Sequence, residues 1–313
     1  MIQLDRNKRV IHLMGTVIDL MVQHESPDSV LDEMVARLKE YEHRFSANDA
    51  SSELMVINKN AGIQPVAVHP DLYQLIKIGK QHSCSPSSNL NIAIGPLVQT
   101  WRIGFADAKV PAAAEIQLLL RKTDPHKIVL NDTEQSVFLS EPGMLIDLGS
   151  LAKGFIADLL IDYLKRTGVS SALINLGGNV VVLGPAHSDE NRDWKIGIRQ
   201  PGSSRTQSMI ALKVFNQSIV TSGIYERSLR NGEQTYHHIL DPHTGYPIET
   251  DVASLTIVSE QSVDGEIWTT RLFGKTSEEI IHTLNQLDGI DGLIITKQEK
   301  ILYSNALESK IIN

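Results

Sequence analysis

The densest group of chemistry-bearing residues is YHHILDPHTGYP (236–247), with three histidines, one aspartate, two prolines and one glycine in twelve residues. Histidine transfers protons near neutral pH, and a neighbouring carboxylate would orient it. Strand alternation puts His237 and His238 on opposite faces, so at most one of them points into a site shared with Asp241 or a ligand. The same residues also suit a solvated turn, because Asp-Pro and Thr-Gly are common turn formers. A second group, IDLGSLAKGF (146–155), reads as a strand ending in Asp147, a Gly-Ser turn, and a helix carrying Lys153 near its start. Backbone N–H groups and a lysine at such a helix end make an anion site that suits a pyrophosphate. On its own, a lysine such as Lys153 is more often a solvated helix lysine. The glycines of NLGGN (175–179) and TSG (221–223) let backbone approach a ligand, or simply connect strands. No GxGxxG after a strand, Walker A sequence, GxSxG or HExxH occurs, so the common dinucleotide, P-loop, serine-hydrolase and zincin readings lose support.

The elements that must position these groups follow from periodicity. Residues 10–22 are rich in branched apolar residues and predict a strand. Ser26-Pro27 then opens an amphipathic helix carrying Val30, Leu31, Met34, Leu38 and Tyr41. Ser51 or Ser52 caps a short helix through Asn58, and 69–83 and 112–123 read as further helices. KIVLN and SVFLS (127–131, 136–140) predict a hairpin, and a helix from Ser150 ends at Gly168 with a stripe of Leu151, Phe155, Leu159 and Tyr163. Short β-rich runs follow: SALINLGGNVVVLG, WKIGIRQP, MIALKVF, SIVTSG, YHHILDP and ASLTIVSE. Two helical runs and two short strands close the chain. The fold class is mixed α+β with a largely antiparallel sheet and flanking helices, in a single bilobed domain over 1–313.

Composition narrows the function classes. The chain has 313 residues, 42% hydrophobic and 21% charged, with one cysteine, as in ordinary globular proteins. Cys84 alone forms no internal disulfide, and no Cys/His spacing resembles a zinc site. The N-terminal stretch interleaves charges with apolar residues, unlike a signal peptide or membrane anchor, which leads us to expect a cytoplasmic protein with no membrane partner. A net charge of −8 without a basic run argues against nucleic-acid binding. An anionic small ligand would need local positive charge.

In order along the chain, MGT (14–16), SSELMVIN (51–58), IGPLVQTW (94–101), DLGSLAKGF (147–155), INLGGN (174–179), TSGIYER (221–227) and HHILDPHTGYPIE (237–249) resemble the FAD:protein FMN transferases, the ApbE family. The resemblance implies an ApbE-like, T-fold-related architecture. It also implies an enzyme that binds FAD with magnesium and moves FMN onto a threonine hydroxyl of an acceptor flavoprotein, releasing AMP. By the same resemblance His238 is the catalytic acid or base. Asp147, Lys153, Met14, Thr221, Ile239 and the segment Ser88, Asn89, Leu90 and Asn91 contact the flavin nucleotide. The Ser150 backbone oxygen and Asp264 bind the metal. Exported members of the family carry a lipid-attachment cysteine, which this chain lacks near its N-terminus.

Several positions depart from the family pattern. Its metal-binding threonine, four residues after the aspartate, falls on Trp268, and the residue before it on Ile267. Thr269 lies about 140° round a regular helix from Asp264 and would substitute only if the helix were irregular. Asn91 and Ala93 replace an aspartate and a threonine, and Asn48 stands where an aromatic residue often stacks on flavin. Trp268 could stack on a ring or pack in the core. Two alternatives accompany the transferase: an FAD-binding protein that has lost catalysis, and an FAD pyrophosphatase giving FMN and AMP.

Overall fold

The computed structural model describes residues 4–186, 192–204 and 207–312. The run at 10–22 is not one strand. Strands β1 (Asp5–Leu13) and β2 (Thr16–His24) form a hairpin across Met14-Gly15, both at positive φ (52° and 68°), the two-residue type I′ pattern. A methionine carries no turn propensity, so hydrophobic patterning runs straight through the turn. Ser26 precedes helix α1 (Pro27–Phe45) but makes no side-chain cap, leaving Pro27 in the first turn to fix the helix start. Val30, Leu31, Met34, Leu38 and Tyr41 are buried as their 3.6-residue spacing predicts, each fully buried leucine-sized side chain stabilising by about 2 kcal/mol.

Helix α2 (Glu53–Lys59) is capped by the Ser52 side chain, which accepts the Met55 N–H. After β3 (Val66–Ala67) come α3 (Pro70–Ser83), α4 (Gly95–Trp101) and α5 (Ala113–Leu120), the last shorter than 112–123. The expected hairpin is present as β4 (Ile128–Asn131) and β5 (Ser136–Leu139), each strand one residue shorter at its outer end than the runs 127–131 and 136–140. Helix α6 (Ala152–Arg166) starts two residues later than Ser150, which stays in the preceding turn. Its buried face is Phe155, Ile156, Leu160 and Leu164, while Leu159 and Tyr163 are only partly covered. The helix is pressed on two sides, by the sheet and by a second helix, so its covered arc is wider than the expected stripe and rotated from it.

The centre of the molecule is an eight-stranded antiparallel sheet. It contains β1, β2, β6 (Ser171–Leu176), β7 (Asn179–Leu183), β10 (Ser218–Gly223), β13 (Val252–Ser259), β14 (Asp291–Thr296) and β15 (Ile301–Tyr303), in that spatial order. Strand β13 is buried at every position because it is covered on both faces. On one face α1, α3, α6 and α7 (Ser262–Leu272) enclose the largest core cluster, continued by α8 (Ser277–Leu284). On the other lies a three-stranded sheet of β8 (Trp194–Arg199), β9 (Ser208–Val214) and β16 (Ile311–Ile312). Strands β11 (Ser228–Asn231) and β12 (Gln234–His237) form a separate ribbon, so YHHILDP is a strand only as far as His237. Among the described residues no helix is long and apolar enough to cross a membrane.

Candidate functional site

Three of the expected ligand-approach segments meet at one end of the large sheet. The β6–β7 connection, Gly177-Gly178, has positive φ at both residues (70° and 103°) and sits beside the Met14-Gly15 turn. A Cβ on Gly177 would come 2.2 Å from Thr16 Oγ1, so only glycine fits there. Strand β10 reaches the same end with Thr221, whose Oγ1 is 2.8 Å from Thr256 Oγ1. The chain leaves β6 at this end and α6 runs antiparallel to it, which brings the α6 N-terminus here too.

Asp147 reaches this rim on a pinned segment. Asn58 donates to the Ile146 carbonyl at 3.0 Å and accepts its N–H at 2.7 Å, while the Asp147 N–H donates to Ile92 O at 2.9 Å. The latter bond sets Asp147 beside the expected 88–91 segment. Burial pushes the Asp147 carboxyl up, opposed by the Gly149 N–H at 2.8 Å and the charge of Arg227. Ser88 and Leu90 are buried; Asn89 donates to Phe273 O at 2.5 Å, tying the segment to the end of α7. Asn91 uses both ends of its amide internally, donating to Thr123 O and accepting the Ala93 N–H. Asn48 accepts from Gln99 and Arg102, so it too is engaged by the protein.

Helices α6 and α7 cross at Gly154, where a Cβ would come 2.6 Å from Ser262 O and 2.7 Å from Glu266 Cγ. The close approach lets Lys153 Nζ come 3.6 Å from Glu266 Oε1, a carboxylate only 6% exposed. Glu266 also accepts from Asn179 Nδ2 at 3.1 Å. Asn179 Oδ1 accepts from the Ser262 hydroxyl at 2.7 Å, which in turn accepts from Ser218 at 2.9 Å. This buried polar chain was not foreseen, because Glu266 sits between apolar neighbours with no motif around it. Asp158 closes the α7 N-terminus by accepting the Ser262 and Val263 N–H groups at 2.7 and 2.8 Å. Burial, with Asp264 and Asp162 adding like charge, pushes Asp158 up to about 7.

Asp264 is half-buried and, among the described residues, has no hydrogen bond or ion pair; burial pushes its carboxyl up. The helix is regular at this point. Thr269 is buried and its hydroxyl donates to Glu266 O at 3.1 Å, so it does not replace the missing ligand. Trp268 is partly buried between two core clusters with the Arg271 guanidinium 4.5 Å from its ring centre. Among the described residues no group of three or more His, Cys, Asp or Glu side chains is placed to hold a metal. The side-chain oxygens on offer are those of the Asp264 carboxylate, and any further protein oxygens would have to come from main-chain carbonyls. A hard cation that keeps water and phosphate oxygens in its shell is satisfied by so small a set.

The two adjacent histidines diverge. His237 Nε2 lies 2.8 Å from Ile248 O and its Nδ1 accepts the Ile239 N–H, so both nitrogens are engaged in holding the loop. His238 Nδ1 faces Arg227 O at 3.3 Å. A carbonyl only accepts, so Nδ1 carries the proton and the Nε2 lone pair is left open. Burial foremost, then the charges of Arg227, His237 and Lys153, push His238 down to about 4, leaving it neutral at pH 7. Asp241 does not orient either ring; its carboxylate accepts the His243 N–H within the turn. That turn is fixed by Trp101, whose Nε1 donates to Gly245 O at 2.8 Å between Tyr236 and Tyr246.

A neutral histidine with an open nitrogen, a buried carboxylate and a lysine at a helix start thus come to the same end of the sheet. The family model for ApbE matches residues 14–294. The chain belongs to the ApbE family. It is 42% identical over 293 residues to the FAD:protein FMN transferase of Klebsiella pneumoniae (strain 342), covering 94% of this chain and 90% of that protein. It is 32% identical to the protein of the same name from Treponema pallidum (strain Nichols), over 96% and 87% of the two chains. Among solved structures, the ApbE protein of Thermotoga maritima superposes with a TM-score of 0.90 at 24% identity, covering 99% of this chain and all of that one. The flavin transferase ApbE of Vibrio cholerae gives 0.84 at 24%, over 98% and 100%. These likenesses establish the ApbE fold: a large antiparallel sheet with helices and no closed barrel.

Proposed function

We propose that this ApbE-family chain transfers the FMN moiety of FAD to a threonine hydroxyl of an acceptor protein and releases AMP. The observation that carries the reading is neutral His238 with Nε2 open, on the rim where Asp147 and the Met14-Gly15 turn converge. The names of the relatives support the same activity. Met14, Ser88, Asn89, Leu90, Asn91, Asp147, Lys153, Thr221 and Ile239 bind the flavin nucleotide. His238 Nε2 takes the proton of the acceptor hydroxyl as its oxygen attacks the FMN phosphorus. A new P–O bond to threonine forms, the P–O bond to AMP breaks, and the electron pair leaves on the AMP phosphate.

Magnesium, held by the unpaired Asp264 carboxylate and the Ser150 carbonyl, would neutralise pyrophosphate charge. The Glu266 chain holds Lys153 at the helix start, where main-chain N–H groups favour an anion. The same proposal takes residues 1–313 as one bilobed domain acting in the cytoplasm, without nucleic-acid or membrane partners.

The test is incubation with FAD, magnesium and the whole protein complement of the native cell, read as covalently bound flavin fluorescence on a denaturing gel and as added FMN mass. Covalent flavin with equimolar AMP is expected. Bound FAD with no adduct in any protein would overturn the transferase; free FMN and AMP would make the chain a pyrophosphatase.

A further inference from the structure

FAD carries two negative charges on its pyrophosphate, and the chain that must bind it is itself acidic. The lysine at the helix start is already compensated, because a buried carboxylate lies 3.6 Å from it. A second cation stands at the same rim. Arg227 precedes β11, and its carbonyl accepts the His238 N–H at 3.2 Å while lying 3.3 Å from His238 Nδ1. The β11–β12 register pairs Ser228 with His237, and one step further places Arg227 directly opposite His238. Residues directly opposite in an antiparallel pair project to one face, so the guanidinium and the imidazole share a side.

The Arg227 stem lies over Gly104, where a Cβ would come 2.8 Å from its Cδ, and its Nη2 is 3.7 Å from the Cβ position of Gly15. The chain is therefore directed across two glycines toward the Met14 turn. Its charge acts on both Asp147 and His238. Yet among the described residues the side chain is exposed, with no hydrogen bond, ion pair or aromatic face to engage it. Other arginines of this chain, such as Arg44, Arg102 and Arg199, have carboxylate partners.

We propose that Arg227 is a catalytic residue whose guanidinium contacts the FMN phosphate of FAD beside His238. The assignment rests on the transferase reading above. Two parallel N–H donors fit two phosphate oxygens, and they would act on the charge that spreads over those oxygens as the bond to AMP loosens. The backbone of Arg227 would at the same time hold the His238 ring, so one residue sets both the base and the phosphoryl group.

The test compares wild type, Arg227→Gln and Arg227→Lys in two assays. Flavin fluorescence titration with FAD, and with riboflavin as a phosphate-free control, reads binding; single-turnover transfer to the native protein complement reads the reaction. Arg227→Gln should weaken FAD about 10-fold while leaving riboflavin unchanged, and should slow transfer about 100-fold. Arg227→Lys should recover FAD affinity without recovering the rate, since an ammonium lacks the fork. Arg227 is exposed, so folding is unaffected. Unchanged FAD affinity and transfer in Arg227→Gln would overturn the proposal while leaving the transferase reading intact. Failure of wild type to modify any protein would remove that reading, and a selective loss of FAD over riboflavin would still support the phosphate contact.

Discussion

The α6–α7 crossing and the β11–β12 ribbon bring opposite kinds of polar group to the same sheet end. At the crossing, Ser218, Ser262, Asn179 and Glu266 form a continuous buried chain that ends on Lys153. At the open end of the ribbon, just beyond its paired strands, His238 has one nitrogen open and Arg227 has no side-chain partner among the described residues. Buried polar groups must be satisfied or the fold loses stability, so the crossing is a scaffold. Groups at the rim, part-buried like His238 or exposed like Arg227, can stay open until a ligand arrives, which suits the ribbon to chemistry. Substitutions at the crossing should therefore register first in stability, and those on the ribbon first in rate.

The largest effect is expected on the ribbon. His238→Ala should lower single-turnover transfer about 1,000-fold with FAD affinity within about 3-fold of wild type; a rate near wild type would remove His238 as the base. At the crossing, Glu266→Leu should lower the unfolding free energy by about 3 kcal/mol in urea titrations, because Asn179 and Lys153 lose their common acceptor. An equally stable variant would break the contrast between the two regions.

A smaller effect concerns Asp158. Its folded pKa, about 7, lies above that of an unfolded aspartate, so its contribution is present at low pH and is lost as pH rises toward and past 7. Stability should fall by about 2 kcal/mol between pH 5 and pH 8, and Asp158→Asn should flatten that slope. The smallest effect is a flat line. With His238 at about 4 in the free enzyme, transfer measured as kcat/KM should change less than about 2-fold between pH 5.5 and 8 from this group. A limb near 6.5 would show that the ring titrates as an ordinary surface histidine.

Much of the scaffold was legible because it is periodic. The α1 face, the β4–β5 hairpin and the opposed faces of His237 and His238 follow from spacing alone. Helix α4 was not foreseen, since Gly95-Pro96 reads as a breaker although proline is well tolerated in a first turn. The hairpin turn at Met14 was hidden for the opposite reason, its residue type giving no signal. The resemblance to the family supplied the candidate site, but the surroundings of Glu266, and those of Arg227 at the end of the TSGIYER stretch, are visible only in three dimensions. Glu266 acquires meaning from Gly154 and Asn179, and Arg227 from His238 across the ribbon, partners 112, 87 and 11 residues away.

The paired two-residue turns at Met14-Gly15 and Gly177-Gly178 limit how this rim can vary. A loop of ordinary length absorbs an inserted residue as slack. A type I′ turn has none, so one added residue would shift the register and send every side chain of the outer strand to the opposite face. Lengthening the chain here would move Ile11 and Leu13 off the core before it reshaped the ligand rim. Variation in what this end of the sheet accepts is thereby confined to side-chain exchange and to the longer segments around it.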